Sequence, residues 1–408
     1  MSAAAAVAGA GQRLKAVLSV NAGSSSLKFA VYPLLDGEVQ AAGLSGLAEG
    51  LEPGGQPIII IQVPGRAKTR TALSLRAGES SFECALRAVI ASVEVDGGAQ
   101  LVAVAHRIVH GGTRYSASVT IDDDVQAYLE SLNPLAPLHQ PHNLAGVKAF
   151  RRACPSIPQV ACFDTAFHAT APEVAKRFAL PESWFEQGVR RYGFHGLSYR
   201  YVTDQLLAAT PRAAGRMLIA HLGNGASLCG VQGGHSIGTT MGMSALDGLM
   251  MGTRSGAIDA GVLLHLLRQG LDLSGIEKLL YKQSGLLGVS GISADMRTLR
   301  ASAEPGAARA IELFTYRVVR ESGALVACLG GLDVLAFTGG IGEHDTALRA
   351  DVGAALAHLG VRVDATANQA ADGNALAAIH AADSLVEVWV VPTDEGRVAA
   401  RDALALLG

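Results

Sequence analysis

The chain has 408 residues, 48 of them glycine, and sets 33 lysines plus arginines against 36 aspartates plus glutamates for a net charge of −3. That balance excludes the concentrated basic surface of a nucleic-acid binder, and no run reaches the ~18 uninterrupted apolar residues of a membrane span. The length suits two or three domains, with a core large enough to need neither disulfides nor a structural metal.

In chain order, residues 1–13 are rich in alanine and glycine, lack a basic leader, and read as a flexible tail. Short apolar runs then predict strands at Ala16–Val20, Phe29–Tyr32, Ile58–Val63, Leu101–His106, Pro158–Cys162, Met217–His221, Val334–Thr338 and Val386–Val391. Alanine- and leucine-rich stretches predict helices at Ser81–Val95, Tyr199–Ala209, Ala260–Arg268, Ala307–Leu329 and Gly396–Leu407. The mixture predicts an α/β protein. Gly50–Gln56 and Thr210–Gly215 read as linkers. The five cysteines are scattered, with no CxxC pair, so a reduced, cytoplasmic setting is expected.

Two segments about 200 residues apart echo each other, as a duplicated fold would. Ala16–Val31 reads strand, NAGSSS, strand; Met217–Val231 reads strand, HLGNGAS, strand. A third glycine turn, TGGIG at Thr338–Gly342, follows a strand and precedes a helical stretch. Such turns aim backbone N–H groups at an anion, usually a phosphate, although any one alone fits a plain hairpin. Neither GxxxxGK[ST] nor an intact strand–GxGxxG–helix is present, so a P-loop and a dinucleotide fingerprint are both excluded. Arg107 ends an apolar run, Asp164 follows another, and Arg254 lies in the glycine-rich MGTRSG. Arginines in such settings suit bidentate recognition of carboxylate or phosphate, against the blander reading of surface ion pairs. His139, His168 and His221, each taken alone, fit satisfied core histidines.

Ten motifs in order carry a resemblance to the acetokinase family, within the acetate/sugar kinase, Hsp70 and actin superfamily. They are VLSVNAGSSSLKFAVY (Val17–Tyr32), AHRIVHGG (Ala105–Gly112), PLAPLHQPHN (Pro134–Asn143), FDTAFH (Phe163–His168), RRYGFHGLSYRYV (Arg190–Val202), HLGNGASL (His221–Leu228), GTTMGMSALDGLMMGTRSGAID (Gly238–Asp259), SGLLGVSGISADMR (Ser284–Arg297), FTGGIGEH (Phe337–His344) and VPTDEGRVAARD (Val391–Asp402).

The resemblance implies two duplicated ribonuclease-H-like (actin-like ATPase) domains with an interdomain nucleotide cleft. It places one domain at 14–165 plus a C-terminal helix at 397–408, and the other, nucleotide-binding, at 166–396. It implies a homodimer and reversible phosphoryl transfer from ATP to acetate or another short carboxylate, with Mg²⁺ or alternatively Mn²⁺. It implies catalytic roles for Arg107, Asp164, His195 and Arg254, and metal-site positions for Asn21 and Glu395. Val109, Leu138 and Phe194 match the acyl pocket, with Arg107 also holding the carboxylate. On the nucleotide side it implies Ser26, Lys28, His221, Gly223, Asn224, Gly225, Asp295, Arg297, Gly339, Gly340, Ile341 and Gly342.

The chain departs from the family pattern at several positions. The family's TPLEG is Ser244–Gly248 here, with Ala245 for the pocket proline; Tyr199 replaces a second histidine; Ala257 replaces a carboxylate; and His344 ends GIGEH. Two alternatives therefore stand beside an acetate-specific enzyme. One is a kinase of propionate or another short fatty acid; the other is an inactive nucleotide-binding relative.

Overall fold

The computed structural model describes residues 14–95, 98–137 and 139–408, so the expected tail at 1–13 and the pocket residue Leu138 lie outside the described residues. The described residues fall into two compact units, one running to Ala166 and resuming at Asp394–Gly408, the other spanning Phe167–Thr393.

The first unit is built on strands β1 (Leu14–Ala22), β2 (Ser26–Leu35), β3 (Glu38–Val39), β4 (Leu44–Glu49), β5 (Ile58–Gln62), β6 (Thr69–Ala72), β7 (Ala99–Ile108), β8 (Val119–Thr120) and β9 (Gln159–Phe163). They order as β6-β5-β4-β2-β1-β7-β9-β8, with β3 on β2. β1 pairs antiparallel with β2 and parallel with β7, and β7 pairs parallel with β9. Ala16–Val20 is buried without interruption, as a central strand covered on both faces requires. One face packs Leu18 and Val20 against Leu86 and Val89 of α1 (Ser81–Val95) and Phe150 of α3 (Gln140–Ala153). Between them α2 (Asp123–Ser131) starts at Asp122, whose carboxylate accepts the Val125 N–H, a standard N-cap. The C-terminal helix (Glu395–Leu407) contacts β1 and β7. Its buried side, Ala399, Ala400 and Ala403, is small enough for close approach to the sheet.

The second unit repeats the pattern with β10 (Arg216–Leu222), β11 (Ala226–Gln232), β12 (His235–Thr239), β13 (Val334–Thr338), β14 (Ala377–Ala378) and β15 (Glu387–Val390), ordered β12-β11-β10-β13-β15-β14. β10 is antiparallel to β11 and parallel to β13, which is parallel to β15. The five-strand order β4-β2-β1-β7-β9 of the first unit therefore recurs as β12-β11-β10-β13-β15, the ribonuclease-H-like order in duplicate. Tyr199, Val202 and Leu206 of α4 (Gly196–Ala209) pack on Met217, Ile219 and Ala336. α5 (Pro305–Leu329) buries Phe314 and Val318 and lies against β11. It starts two residues before the predicted Ala307 because Pro305 occupies the first turn, where its missing N–H costs nothing.

Neither expected linker joins the units. Gly50–Gln56 connects β4 to β5, and Thr210–Gly215 connects α4 to β10. The second is packed: Ala213 is fully buried, and the Thr210 hydroxyl accepts the Arg212 N–H.

Candidate active site

In the first unit, β1, β7 and β9 are parallel neighbours, so their C-terminal ends lie side by side, where open α/β sheets gather ligands. Arg107 is the next-to-last residue of β7. Asp164 follows β9, and its N–H donates to the Ile108 carbonyl at 3.0 Å. That bond swings its carboxylate onto Arg107, which donates from Nε at 2.9 Å and Nη2 at 2.5 Å. Glu395, opening the C-terminal helix, adds an oxygen 3.5 Å from Arg107 Nε. Burial opposes the charge on Arg107, but Asp164 and Glu395 outweigh it and hold its pKa above the ordinary arginine range. Asn21, beside the paired Val20 and His106, faces Lys28 across the β1–β2 ladder. Ser26 is half-buried and Lys28 exposed.

With both Asp164 oxygens on Arg107, Asn21 and Glu395 offer amide and carboxylate oxygens from two elements. Hard oxygen donors, few in number, suit Mg²⁺, which keeps several waters and takes substrate phosphate as well. The donor chemistry fits that ion, or Mn²⁺.

α3 holds this strand end from behind. Gln140 accepts the His110 N–H and donates to the His110 carbonyl; Asn143 accepts the Val109 N–H at 3.1 Å and donates to the Ala22 carbonyl at 2.6 Å. Two side chains on one helix turn thereby tie the ends of β1 and β7 together. Val109 itself is buried. Burial drives His106 down to about 4 against the opposing Gln159 hydrogen bond, so His106 is a neutral core histidine. His168, in the second unit, is likewise pushed down to about 4 by burial and donates to the Phe194 carbonyl.

In the second unit, the turn after β10 gathers the remaining polar groups. Gly225 is the contact point: a Cβ there would stand 2.9 Å from Arg254 Nη2 and 3.3 Å from His195 Nε2. Only a residue without a side chain lets both groups meet at that spot. His195 precedes α4 in the left-handed region (φ 58°), stacks on His221 at 4.2 Å, and hydrogen-bonds through Nδ1 to Ser227 Oγ at 2.9 Å. His221 in turn bonds Ser198 Oγ at 2.8 Å. Arg254 donates from Nη1 to the Ala245 carbonyl at 2.5 Å, so the backbone of the substituted pocket position steers this arginine. The Gly252 N–H donates to the Asn224 carbonyl at 3.0 Å, tying MGTRSG to the β10 turn.

The TGGIG turn lies against the same place. It forms α6 (Gly339–His344), and a Cβ on Gly339 (φ +75°) would press on Leu222 backbone at 2.8 Å. Gly340 is exposed and Ile341 half-buried, while Gly342 is buried. Asp295 and Arg297 form their own pair at 2.6 Å, with Arg297 almost fully exposed. The adjacent Ala294 carbonyl lies near Gly252, so this pair borders the Arg254 segment. Phe194 is buried beside His195.

Several contributors escaped the sequence reading. Gln140 and Asn143 are two. Glu343 is a third: its carboxylate accepts the Gly339 and Thr393 N–H groups at 2.9 and 3.1 Å. Arg349, on α7 (Thr346–Ala355), is a fourth. Fully buried, it donates to the carbonyls of Gly342, Glu343, Asn368 and Ala371 and to the Asn368 side chain. It satisfies the carbonyls at the end of α6, as helix ends require.

Duplicated ribonuclease-H-like units with glycine turns at their strand ends define the actin-like ATPase class. Comparison with known proteins narrows this. The model of the acetokinase family matches residues 16–401. An acetate kinase of Rhodopseudomonas palustris is 48% identical over 394 residues, 94% of this chain and 96% of that protein. The crystal structure of Porphyromonas gingivalis acetate kinase superposes with a TM-score of 0.86 at 38% identity, covering 97% of this chain and 100% of that one. A propionate kinase from Francisella tularensis superposes with a TM-score of 0.87 at 33% identity, covering 96% and 100%. The chain belongs to the acetokinase family.

The Gly225 contact gives a direct test. In Gly225→Ala the new methyl displaces the ends of two flexible side chains and leaves the backbone unmoved. The fold should keep its melting temperature, while kcat falls about 10- to 100-fold through misplaced Arg254 and His195. Wild-type turnover would show that these groups are not held there for catalysis.

Proposed function

We propose that the chain catalyses reversible transfer of the γ-phosphoryl group of ATP to acetate, giving acetyl phosphate and ADP by direct in-line displacement. The observation that carries this reading is the meeting of Arg254 and His195 at Gly225, next to glycine turns suited to phosphate. Family membership supports the substrates: the Rhodopseudomonas palustris relative and the Porphyromonas gingivalis structure, both matched nearly full length, are acetate kinases.

Phosphoryl transfer needs alignment and positive charge more than covalent chemistry. A carboxylate and a phosphate repel each other strongly in a site of low dielectric. Arg107 holds the acetate carboxylate, and Arg254 and His195 donate to the oxygens of the migrating group. Acetate is already ionised near pH 7 and needs no general base. Asp164, engaged by Arg107 through both oxygens, accordingly serves as an organiser. Asn21 and Glu395 would hold Mg²⁺, which when bound neutralises phosphate charge. The turns at Gly223–Gly225 and Gly339–Gly342, with His221, Asp295 and Arg297, take the nucleotide, and Ser26 and Lys28 border its phosphates. Val109 and Phe194, each buried in its own unit, match the family's positions for the acyl methyl.

Purified protein with Mg-ATP, acetate and hydroxylamine should form acetyl hydroxamate. Absence of product, with a known acetate kinase active alongside, would overturn the reading. Ala245, smaller than the family's proline, and the propionate kinase likeness favour testing longer acids. One methylene changes kcat/KM by only about 10- to 200-fold; acetate should rank first among two- to four-carbon acids, and a propionate optimum would select the alternative.

We also propose a cytoplasmic homodimer. Supporting it, helix Ala260–Arg268 has no buried residue, and Leu264 and Leu267 are 54% and 51% exposed. Contiguous apolar faces of this kind mark protein contacts. Sedimentation equilibrium should give twice the chain mass, and a monomer mass would refute it. The free cysteines and the lack of a membrane-crossing helix among the described residues support the location.

A further inference from the structure

We infer that Tyr199, acting through the Ser227 hydroxyl, sets which nitrogen of His195 carries the proton, and so is a positioning residue for phosphoryl transfer. The inference rests on the role proposed above for His195.

Tyr199 OH lies 2.5 Å from Ser227 Oγ, and Ser227 Oγ lies 2.9 Å from His195 Nδ1. Tyr199 and Ser227 are fully buried, so no bulk water competes along the chain. His195 Nε2 is the nitrogen beside Arg254 at Gly225. A neighbouring guanidinium disfavours the imidazolium. A neutral imidazole helps an anionic phosphoryl group only if Nε2 carries its hydrogen, and that is decided by what Nδ1 bonds.

Ser227 has one proton to give. If Ser227 donates to Nδ1, the proton in its contact with Tyr199 has to come from the phenol. Thr239 also hydrogen-bonds to Tyr199, but its hydroxyl proton is on the Leu228 carbonyl at 2.8 Å. Thr239 can therefore only compete with Ser227 for the single phenol proton, and the 2.5 Å contact with Ser227 takes it. Burial keeps His168, Cys229 and the phenol along the chain neutral. His168 and His221 stand 5.5 and 6.4 Å from the Tyr199 ring. His168 is held down by burial and Cys229 is pushed up to about 12 by burial. Burial also keeps the phenol protonated. Arg254 and the stacked His221 are charged or titratable neighbours of His195 itself.

Tyr199→Phe keeps the ring and deletes the donor. Ser227 is then free to accept from Nδ1–H, and neutral His195 loses its Nε2 hydrogen. We expect kcat to fall about 5- to 30-fold, the net worth of one hydrogen bond, ~1–2 kcal/mol. KM for ATP and acetate should stay within about twofold. The alkaline limb of the kcat profile should move to lower pH, because only imidazolium then donates from Nε2. In ¹⁵N-histidine-labelled protein, His195 Nδ1 should be proton-free in the wild type and protonated in Tyr199→Phe. Ser227→Ala removes the acceptor that would trap Nδ1–H, so adding it to Tyr199→Phe should recover part of the loss; if Tyr199→Phe melts early, the wild-type spectrum decides, and a protonated Nδ1 there overturns the inference. An unchanged profile and nitrogen spectrum in the folded variant would overturn the inference. If instead His195→Ala keeps normal turnover, the role proposed for His195 fails, while the nitrogen spectrum still reads the tautomer.

Discussion

Arg107 is a guanidinium that must stay charged, stay partly accessible and keep one orientation at the end of a buried strand. Alone it would be costly to hold there, because burial penalises the charge. The bidentate contact with Asp164 meets all three demands, since a planar fork on a carboxylate fixes direction as well as charge. Asp164 is itself 1% exposed, so each partner makes the other tolerable. Removing one partner of a buried pair costs about 3–5 kcal/mol, less here because the arginine side chain is 22% exposed. The surrounding architecture serves this pair: parallel β7 and β9 bring together residues 57 apart in sequence, and the C-terminal helix returns to supply Glu395.

The second unit solves a related problem with space. Arg254 and His195 meet where Gly225 has no side chain, and the Ala245 carbonyl and the Ser227 hydroxyl fix their far sides. Backbone carbonyls are dependable acceptors because substitution does not remove them. Ala245 therefore still holds the arginine although it lacks the family's proline ring. Tyr199 similarly departs from the family's histidine and keeps a hydrogen-bonding group aimed at Ser227.

The central strands were legible because burial on both faces writes continuous apolar runs. Ala16–Val20 and Val334–Thr338 are such runs, and both are strands. Helix Ser81–Val95 matched its predicted ends because its apolar periodicity is uninterrupted. β4 and α3 were not legible. LSGLAE in β4 has weak alternation and a glycine, and α3 carries Pro141, His142, Asn143 and Gly146, all poor helix formers. Tertiary contacts made by Gln140 and Asn143 override those propensities. Arg349 reads as a surface charge on a helix, and only the fold reveals the ring of carbonyls around it. The family motifs drew attention to Arg107, Asp164, His195 and Arg254. They gave no sign of what orients each, because polar positioning depends on strand register, and local sequence does not record register.

Asp164 acts by holding Arg107. A double-mutant cycle on kcat/KM for acetate, using Arg107→Ala, Asp164→Ala and the double variant, tests it most directly. The double variant should lose little more than Arg107→Ala alone, since Asp164 then has nothing further to orient. Losses that multiply in full would contradict it, by showing that Asp164 acts on the reaction independently of the arginine.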